Sequence, residues 1–157
     1  MLLDPNNKPH YTLDSFNVQK ASPSAFAGGT TDARGDDGGA NDPLTLFTVT
    51  GDVLVRMIGV CTTDLASAGG GTLSVGVTGN TALLLALTTA TAIDENELWN
   101  DASPAIGDTL ANVTGPFVLT NGSDIIETVG TADITSGQIY YICLWRKLSQ
   151  DGKVEAV

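Results

Sequence analysis

The chain after residue 43 alternates between apolar and polar positions with the two-residue period of β-strands. This pattern holds in the runs LTLFTVT, VLVRMIGVCTT, TLSVGVTG, FVLT, DIIETV, QIYYICLWRKL and KVEAV, and Gly or Asn turns separate most of them. Many short strands, with no repeat of solenoid or propeller length, predict an all-β fold. We expect an antiparallel β-sandwich, jelly-roll-like, over residues 43–157. An immunoglobulin-like sandwich and a small barrel stay open as alternatives for its strand order.

Two tight turns predict which strands are neighbours. Gly51 and Asp52 join LTLFTVT to VLVRMIGVCTT, which predicts two adjacent strands connected by a short turn. A second turn at 150–152 precedes KVEAV, which predicts that the last strand returns along QIYYICLWRKL as a hairpin.

The run TALLLAL at residues 81–87 allows both a helix and a strand, and the strand is favoured because threonine is frequent and no 3.6-residue period holds. As a strand it is apolar on both faces, with Leu83, Leu85 and Leu87 opposite Ala82, Leu84 and Ala86. A strand that is apolar on both faces is covered on both. We therefore expect another subunit to contact Leu83, Leu84 and Leu85.

Residues 1–42 follow no period for long and predict an extended N-terminal arm ahead of the sandwich. Its scattered apolar side chains indicate that part of the arm lies against a surface, and the expected contacts are Leu2, Leu3, Tyr11 and Phe16. The arm ends in TTDARGDDGGANDP, which we interpret as a flexible tether.

Two other interpretations of this tether stay open. Arg34-Gly35-Asp36 matches a short cell-attachment motif, although a tripeptide often arises by chance. A calcium loop would use the carboxylates of Asp32, Asp36, Asp37 and Asp42, but the spacing of an EF-hand is absent.

The charge of the chain excludes some partners. Lys and Arg number 7 against 18 Asp and Glu, which gives a net charge of -11. Such a surface repels phosphate and anionic lipid, so we expect no nucleic-acid and no membrane partner. The chain is nevertheless 42% hydrophobic and predicts a folded, soluble domain with no signal peptide visible.

The sequence lacks the residue patterns that are typical of most catalytic centres. The single histidine, His10, lies in the arm, and no glycine-rich run carries the lysine of a phosphate loop. Cys61 and Cys143 lie in apolar runs and are expected to be buried free thiols, with a disulfide between strands as the alternative. The acidic stretch with Asp94, Glu95, Glu97 and Asp101 is expected to be a solvated loop, with a glycan hydrolase site as the alternative. We expect no enzyme activity, no resident metal and no cofactor.

Two long segments resemble small structural proteins of tailed bacteriophages: TLSVGVTGNTALLLALTTATAIDENELWNDASP and GSDIIETVGTADITSGQIYYICLWRKLSQDGKV. The shared features are a Gly-Asn-Thr-Ala stretch, a Thr-Ala-Thr-x-Ile-Asp segment leading to Trp99, and a Thr-Ala-Asp-Ile-Thr turn before a final Trp-Arg strand. The resemblance covers about residues 43–157.

The resemblance implies a virion protein, and capsid decoration (cement) proteins fit the size and the β architecture. Such proteins generally sit as trimers on the capsid exterior, and some grip the shell with an extended terminal arm. The implied partners are therefore the major capsid protein and further copies of this chain, and the expected function is mechanical stabilisation of the phage head. A tail, fibre or head-fibre module that binds a host receptor or glycan is the alternative.

Overall fold

The computed structural model describes residues 16–30, 32–101, 103–108 and 113–157. Their strands form two five-stranded antiparallel sheets that pack as a sandwich. The elements are β1 (Asn17–Ala21), β2 (Leu44–Thr50), β3 (Val53–Ala66), β4 (Thr72–Val77), β5 (Asn80–Thr89), a 3-10 turn (Ala90–Ala92), β6 (Leu98–Trp99), β7 (Phe117–Leu119), β8 (Ile125–Gly130), β9 (Ser136–Lys147) and β10 (Lys153–Ala156).

The strands pair in a nested order. β4 pairs with β5, β3 with β6 and β7, β2 with β8, and β1 with β9, so that each pair encloses the one before it. A long hairpin of this kind, rolled so that its strand pairs alternate between two sheets, is a jelly roll. Sheet one has the order β1-β9-β3-β6, with β7 also on β3, and sheet two has the order β10-β2-β8-β4-β5. The sandwich prediction is confirmed, and this order selects the jelly roll.

Both predicted short pairings are wrong. β2 and β3 lie in different sheets, because the turn at Gly51 carries the chain across the sandwich instead of back along β2. β10 pairs with β2 and not with β9, which adds a fifth strand at the edge of sheet two. In both cases the buried side chains of the two sheets face each other, and this packing decides the pairing more strongly than the short connection does.

The core lies between the two sheets. Sheet one contributes alternate residues of β3 and β9, among them Val55, Met57 and Tyr141, while Phe47, Leu73 and Ile125 come from sheet two. Trp99 of the two-residue β6 is fully buried, lies against Tyr141 and donates its indole N–H to Thr88 Oγ1 at 3.1 Å. The Trp99 ring packs directly against Gly59. A Cβ at this position would lie only 3.0 Å from Trp99 Cε3, so the glycine makes room for the ring. A very short strand is therefore held by one large side chain.

Residues 81–87 form a strand, β5, and not a helix. The register against β4 shifts between Leu73 and Val75 and again before Val77, so two consecutive side chains, Leu84 and Leu85, both enter the core. The expected alternation of faces is wrong at this point.

The segment ahead of β2 is part of the sandwich wherever the structure describes it. β1 pairs with β9 over its whole length, and Phe26 is buried in the core. The backbone of residues 27–35 bonds to Ile134 on both sides, through Gly28 N and Gly35 O at 2.9 and 2.8 Å. The interpretation of residues 30–43 as a flexible tether is wrong for the described residues, because this segment packs against the sandwich.

Candidate functional site

Arg34, Glu127 and Tyr141 form a buried polar cluster inside the sandwich. The Arg34 guanidinium donates from Nε to Glu127 Oε1 at 2.8 Å and from Nη2 to Oε2 at 2.6 Å, and the Tyr141 hydroxyl donates to the same Oε2. Arg34 Nη1 donates to the Ser24 carbonyl at 2.6 Å, and the guanidinium lies 3.8 Å from the centre of the Phe26 ring. A bidentate pair that also satisfies its remaining donors is the arrangement in which a buried charge is tolerated.

The electrostatics of this cluster favour the ion pair. Burial alone would lower the pKa of Arg34, but hydrogen bonding to Glu127 and its charge raise that pKa above the ordinary value. Burial and the Glu127 charge together hold the pKa of Tyr141 well above its usual range. Because each group is occupied by the others, we assign the cluster a structural role: it fixes the segment around Arg34 to strands β8 and β9.

This geometry explains the Arg34-Gly35-Asp36 tripeptide without a receptor. Only 4% of Arg34 is exposed, so its guanidinium is not displayed in this conformation. Gly35 has a φ of 101°, and a Cβ there would lie 2.3 Å from the Ile134 carbonyl oxygen. Each of these two residues is thus required by packing within the chain.

The four acidic residues proposed as calcium ligands take part in different local contacts of this segment. Asp42 accepts from Val129 N at 2.9 Å and from Gly38 N at 3.1 Å, which anchors the end of the segment. The Asp37 amide donates to Asp133, and the Asp32 carbonyl accepts from the Asn41 side chain. Asp36 lies beside Gly39, where a Cβ would meet its carboxylate. In the part of the chain that the structure describes, no group of three or more His, Cys, Asp or Glu side chains could hold a metal ion.

Both cysteines are buried and unpaired, which confirms the free-thiol prediction. Burial raises the pKa of the Cys61 thiol to about 11 and that of the Cys143 thiol to about 12. Thiols of this kind stay protonated near neutral pH and are poor nucleophiles.

The carboxylates between residues 94 and 101 also bond to nearby backbone. Glu97 accepts from Asp94 N at 2.9 Å, and Asp101 accepts from Ser103 N at 2.7 Å. The Glu95 amide donates to Asp64. These contacts order the described residues of the loop locally.

A cavity of about 490 Å³ opens beside the segment that follows β1. Its lining includes small side chains from residues 21–27, the apolar Leu44, Leu46 and Val157, and the acidic Asp32. Arg34 reaches its wall, but that charge is already neutralised by Glu127. The Arg34 charge is therefore not available to a ligand in this cavity.

The outer face of sheet one carries many apolar side chains, although it points away from sheet two. It consists of the residues that alternate with the buried positions of β1, β3, β9 and their neighbours, and we call it the sheet-one outer face. Its members are Val18, Lys20, Leu54, Arg56, Ile58, Val60, Leu98, Val118, Tyr140, Ile142, Leu144 and Arg146. At the margins Val18 and Val118 are 63% and 61% exposed, and the central side chains are half-buried.

The outer face of sheet two is polar by comparison. At its β10 edge the exposed Thr48 pairs with Glu155 and the exposed Thr50 pairs with Lys153, whereas Ser74 on β4 is buried. A sheet that faces water on one side carries polar residues there, whereas apolar residues on both faces are typical of a sheet that is covered on both. Exposed polar pairs therefore mark the β2–β10 edge of sheet two, whereas apolar side chains predominate on the sheet-one outer face.

Charged residues interrupt the apolar positions of the sheet-one outer face. Lys20, Arg56 and Arg146 are among its members, and the exposed Asp64 lies further along β3. Lys20 lies 3.8 Å from the centre of the Tyr140 ring, and Arg146 lies over the Phe16 ring. Phe16, predicted as a contact residue, thus lies beside this face.

The other predicted contact residues are placed differently. Leu84 and Leu85 are 1% and 0% exposed, so they belong to the core and are unavailable to another subunit, while Leu83 is half-buried. Leu2, Leu3 and Tyr11 lie outside the described residues. The signal for the actual apolar face was present in VLVRMIGVCTT and QIYYICLWRKL, where both sets of alternate positions are apolar.

Comparison with known proteins adds no relative. No family model, no curated protein and no solved structure matches this chain. Within the described residues, no helix is long and apolar enough to cross a membrane.

Proposed function

We propose that this protein is a structural, non-catalytic subunit that is built into a larger assembly through its sheet-one outer face. One observation carries the proposal: β3 and β9 are apolar on both faces, although only one face packs against sheet two. Covering the other face would remove a continuous apolar surface from water, which stabilises by about 25 cal/mol per Å² of apolar area.

We propose further that the assembly is a phage head, on whose exterior the protein acts as a decoration protein bound to the major capsid protein. The support is the resemblance of residues 43–157 to phage structural proteins, together with a jelly-roll fold that also occurs in viral capsid domains. The fold is an analogy and does not decide the function. The exposed Lys20 at the margin of the sheet-one outer face favours an acidic shell surface as the partner.

The protein would act mechanically, without turnover. Each copy contributes an apolar contact with a cationic component, and many copies on one shell act together through multivalency. The strongly acidic remainder of the surface keeps the bound particle soluble.

The test is co-sedimentation of the purified protein with heads of the encoding phage that lack it. Val18→Asp and Val118→Asp place charge on exposed positions of the sheet-one outer face, and we expect each to weaken binding by roughly tenfold, about 1.4 kcal/mol. Val157→Asp is the matched control, because Val157 is 78% exposed and lies beside β2 of the other sheet.

The outcomes separate the possibilities. Loss of binding in the face variants alone supports the proposal. Equal binding of face and control variants contradicts the assigned surface. If the protein binds host cells and not heads, the receptor-binding alternative replaces the decoration role.

A further inference from the structure

The cavity beside the segment that follows β1 combines an apolar wall with a polar end. Its volume of about 490 Å³ lies within the range of pockets that hold small molecules. The apolar residues of the lining are small or aliphatic: Ala21, Pro23, Ala25, Ala27, Ala33, Leu44, Leu46 and Val157. Such a wall has room for the apolar body of a ligand, and the few polar side chains beside it decide which head group the ligand carries.

Two charged side chains, Asp32 and Arg34, belong to the described lining of this cavity. Arg34 donates twice to the carboxylate of Glu127, at 2.8 and 2.6 Å, so these two charges cancel. Asp32 is exposed, and among the described residues its carboxylate has no hydrogen-bond or ion-pair partner. The charge that the cavity offers to a ligand is therefore negative.

Asp32 is held in the lining through its backbone. Its carbonyl accepts from the Asn41 side chain, and the next amide, Ala33 N, donates to Thr30 O at 3.0 Å. Its φ of 61° lies in the left-handed region, which Asp and Asn adopt more readily than most residues. The carboxylate stays unoccupied, in contrast to that of Asp42, which accepts from two backbone amides.

We propose that this cavity binds an alkylammonium group, with the ammonium paired to Asp32 and the alkyl chain against Leu44 and Leu46. The ammonium supplies the counter-ion that Asp32 lacks, and the alkyl chain removes apolar wall from water. The net charge of -11 adds a field that attracts cations to the whole chain. The described lining shares no residue with the sheet-one outer face, so this site does not depend on the proposed capsid role.

Other ligands fit this cavity less well. An anion would meet the carboxylate of Asp32 and a guanidinium that Glu127 already occupies. A metal ion needs several oxygen ligands, and the described residues contain no group of three or more His, Cys, Asp or Glu side chains that could hold one. A neutral apolar ligand would fill the wall but leave the carboxylate without a counter-ion.

The test is a titration of the isotope-labelled chain with pentylammonium, pentanol and pentanoate, followed by the chemical shifts of the backbone amides. These probes have similar apolar bodies and differ in the charge of the head group. We expect pentylammonium to shift the amides of lining residues such as Ala27, Asn41 and Leu46. It should bind at least tenfold more tightly than pentanoate, and added salt should weaken its binding.

Asp32→Asn removes the charge and keeps a residue that tolerates a positive φ. We expect this variant to bind pentylammonium no more tightly than it binds pentanol. Asp37→Asn is the matched control, because Asp37 is exposed on the same segment and does not line the cavity, so its loss of charge should leave binding unchanged. Ala25→Trp fills the cavity from an exposed position and should weaken the binding of pentylammonium and of pentanol alike.

A further probe identifies the source of the alkylammonium group. Nα-acetyl-lysine methylamide carries the same ammonium on a peptide backbone. Tighter binding of this probe than of pentylammonium assigns the site to a lysine side chain of another protein, and the reverse order assigns it to a free amine. Either order supports the site.

Three results would overturn the proposal. The first is equal binding of pentylammonium and pentanoate, and the second is an Asp32→Asn variant that binds pentylammonium as tightly as the wild type. The third is an equal loss of binding in Asp32→Asn and Asp37→Asn, which would show attraction by the overall charge of the chain alone. Since no phage heads enter this titration, the cavity and the capsid role can fail independently.

Discussion

At the scale of single residues, the tripeptide Arg34-Gly35-Asp36 shows how sequence context misleads. A charged, glycine-rich stretch is typical of a solvated loop, yet Arg34 is buried on Glu127, a partner 93 positions away. Sequence spacing cannot show such a partner, because the two residues meet only after the sheets form. The burial of Cys61 and Cys143, by contrast, followed from the apolar runs that contain them.

Replacing Arg34 by alanine is expected to lower the free energy of unfolding by about 3–5 kcal/mol, because it leaves Glu127 buried without its counter-ion. Urea denaturation measures this change. Lys153→Ala is the control, since it removes an ion pair whose side chains are about half exposed, and it should cost less than about 1 kcal/mol. Similar costs for the two variants would show that the buried pair does not stabilise the fold.

Gly35→Ala is expected to destabilise the protein by more than about 2 kcal/mol, because the new Cβ would meet the Ile134 carbonyl at a positive φ. Gly38→Ala is the matched control. Gly38 also has a positive φ, 72°, but nothing lies within 4 Å of its Cβ position, so only the backbone strain of about 1 kcal/mol is expected. Thermal melting of the two variants separates the clash from the strain, and equal costs would contradict the close packing of this segment.

At the scale of elements, the strands from β2 onward, apart from β5 and the two-residue β6, could be predicted from alternation, whereas their partners could not. Alternation reports which face of a strand is buried and says nothing about which strand lies beside it. The turn after β2 therefore suggested a hairpin, although the chain crosses to the other sheet there. β1 was missed as a sheet strand because NVQKA is short and polar, and it pairs only because β9 provides an edge.

The segment between β1 and β2 is expected to resist proteolysis, because its backbone bonds to Ile134 and its Arg34 side chain to Glu127. Digestion with a protease of broad specificity should leave residues 22–43 intact in the wild type. In Glu127→Gln, where the counter-ion of Arg34 is lost, cleavage in this segment should be faster by at least tenfold.

Lys153→Ala serves again as the control and should digest at the wild-type rate. Rapid cleavage of residues 22–43 in the wild type would restore the tether interpretation.

At the scale of the whole molecule, the buried titratable groups predict how stability depends on pH. The folded pKa values of Cys61 and Cys143, about 11 and about 12, exceed the ordinary value of 9.0, so the folded state holds these protons more tightly than the unfolded state. Their contribution is complete below pH 9 and is lost as the pH rises toward 12. The pKa of Tyr141 is also raised in the folded state, so this residue lowers the stability further as the pH rises above 10.

Denaturant titrations at a series of alkaline pH values measure this loss of stability. Cys143→Ala should be less stable at neutral pH, because it leaves a cavity, but its stability should fall less steeply between pH 9 and 12. A variant with the same slope as the wild type would contradict the assignment of the pH dependence to this thiol.

The nested pairing has a consequence for synthesis. β1 and β9 are adjacent in the sheet but are separated by most of the chain, and such distant contacts make folding slow. A nascent chain holding β1 to β8 lacks the strand that joins β1 to β3, so it cannot form the sheet-one outer face. A fragment that stops short of β9 therefore lacks the surface through which we propose that the protein docks, so a chain could bind a partner there only after β9 has joined the sheet.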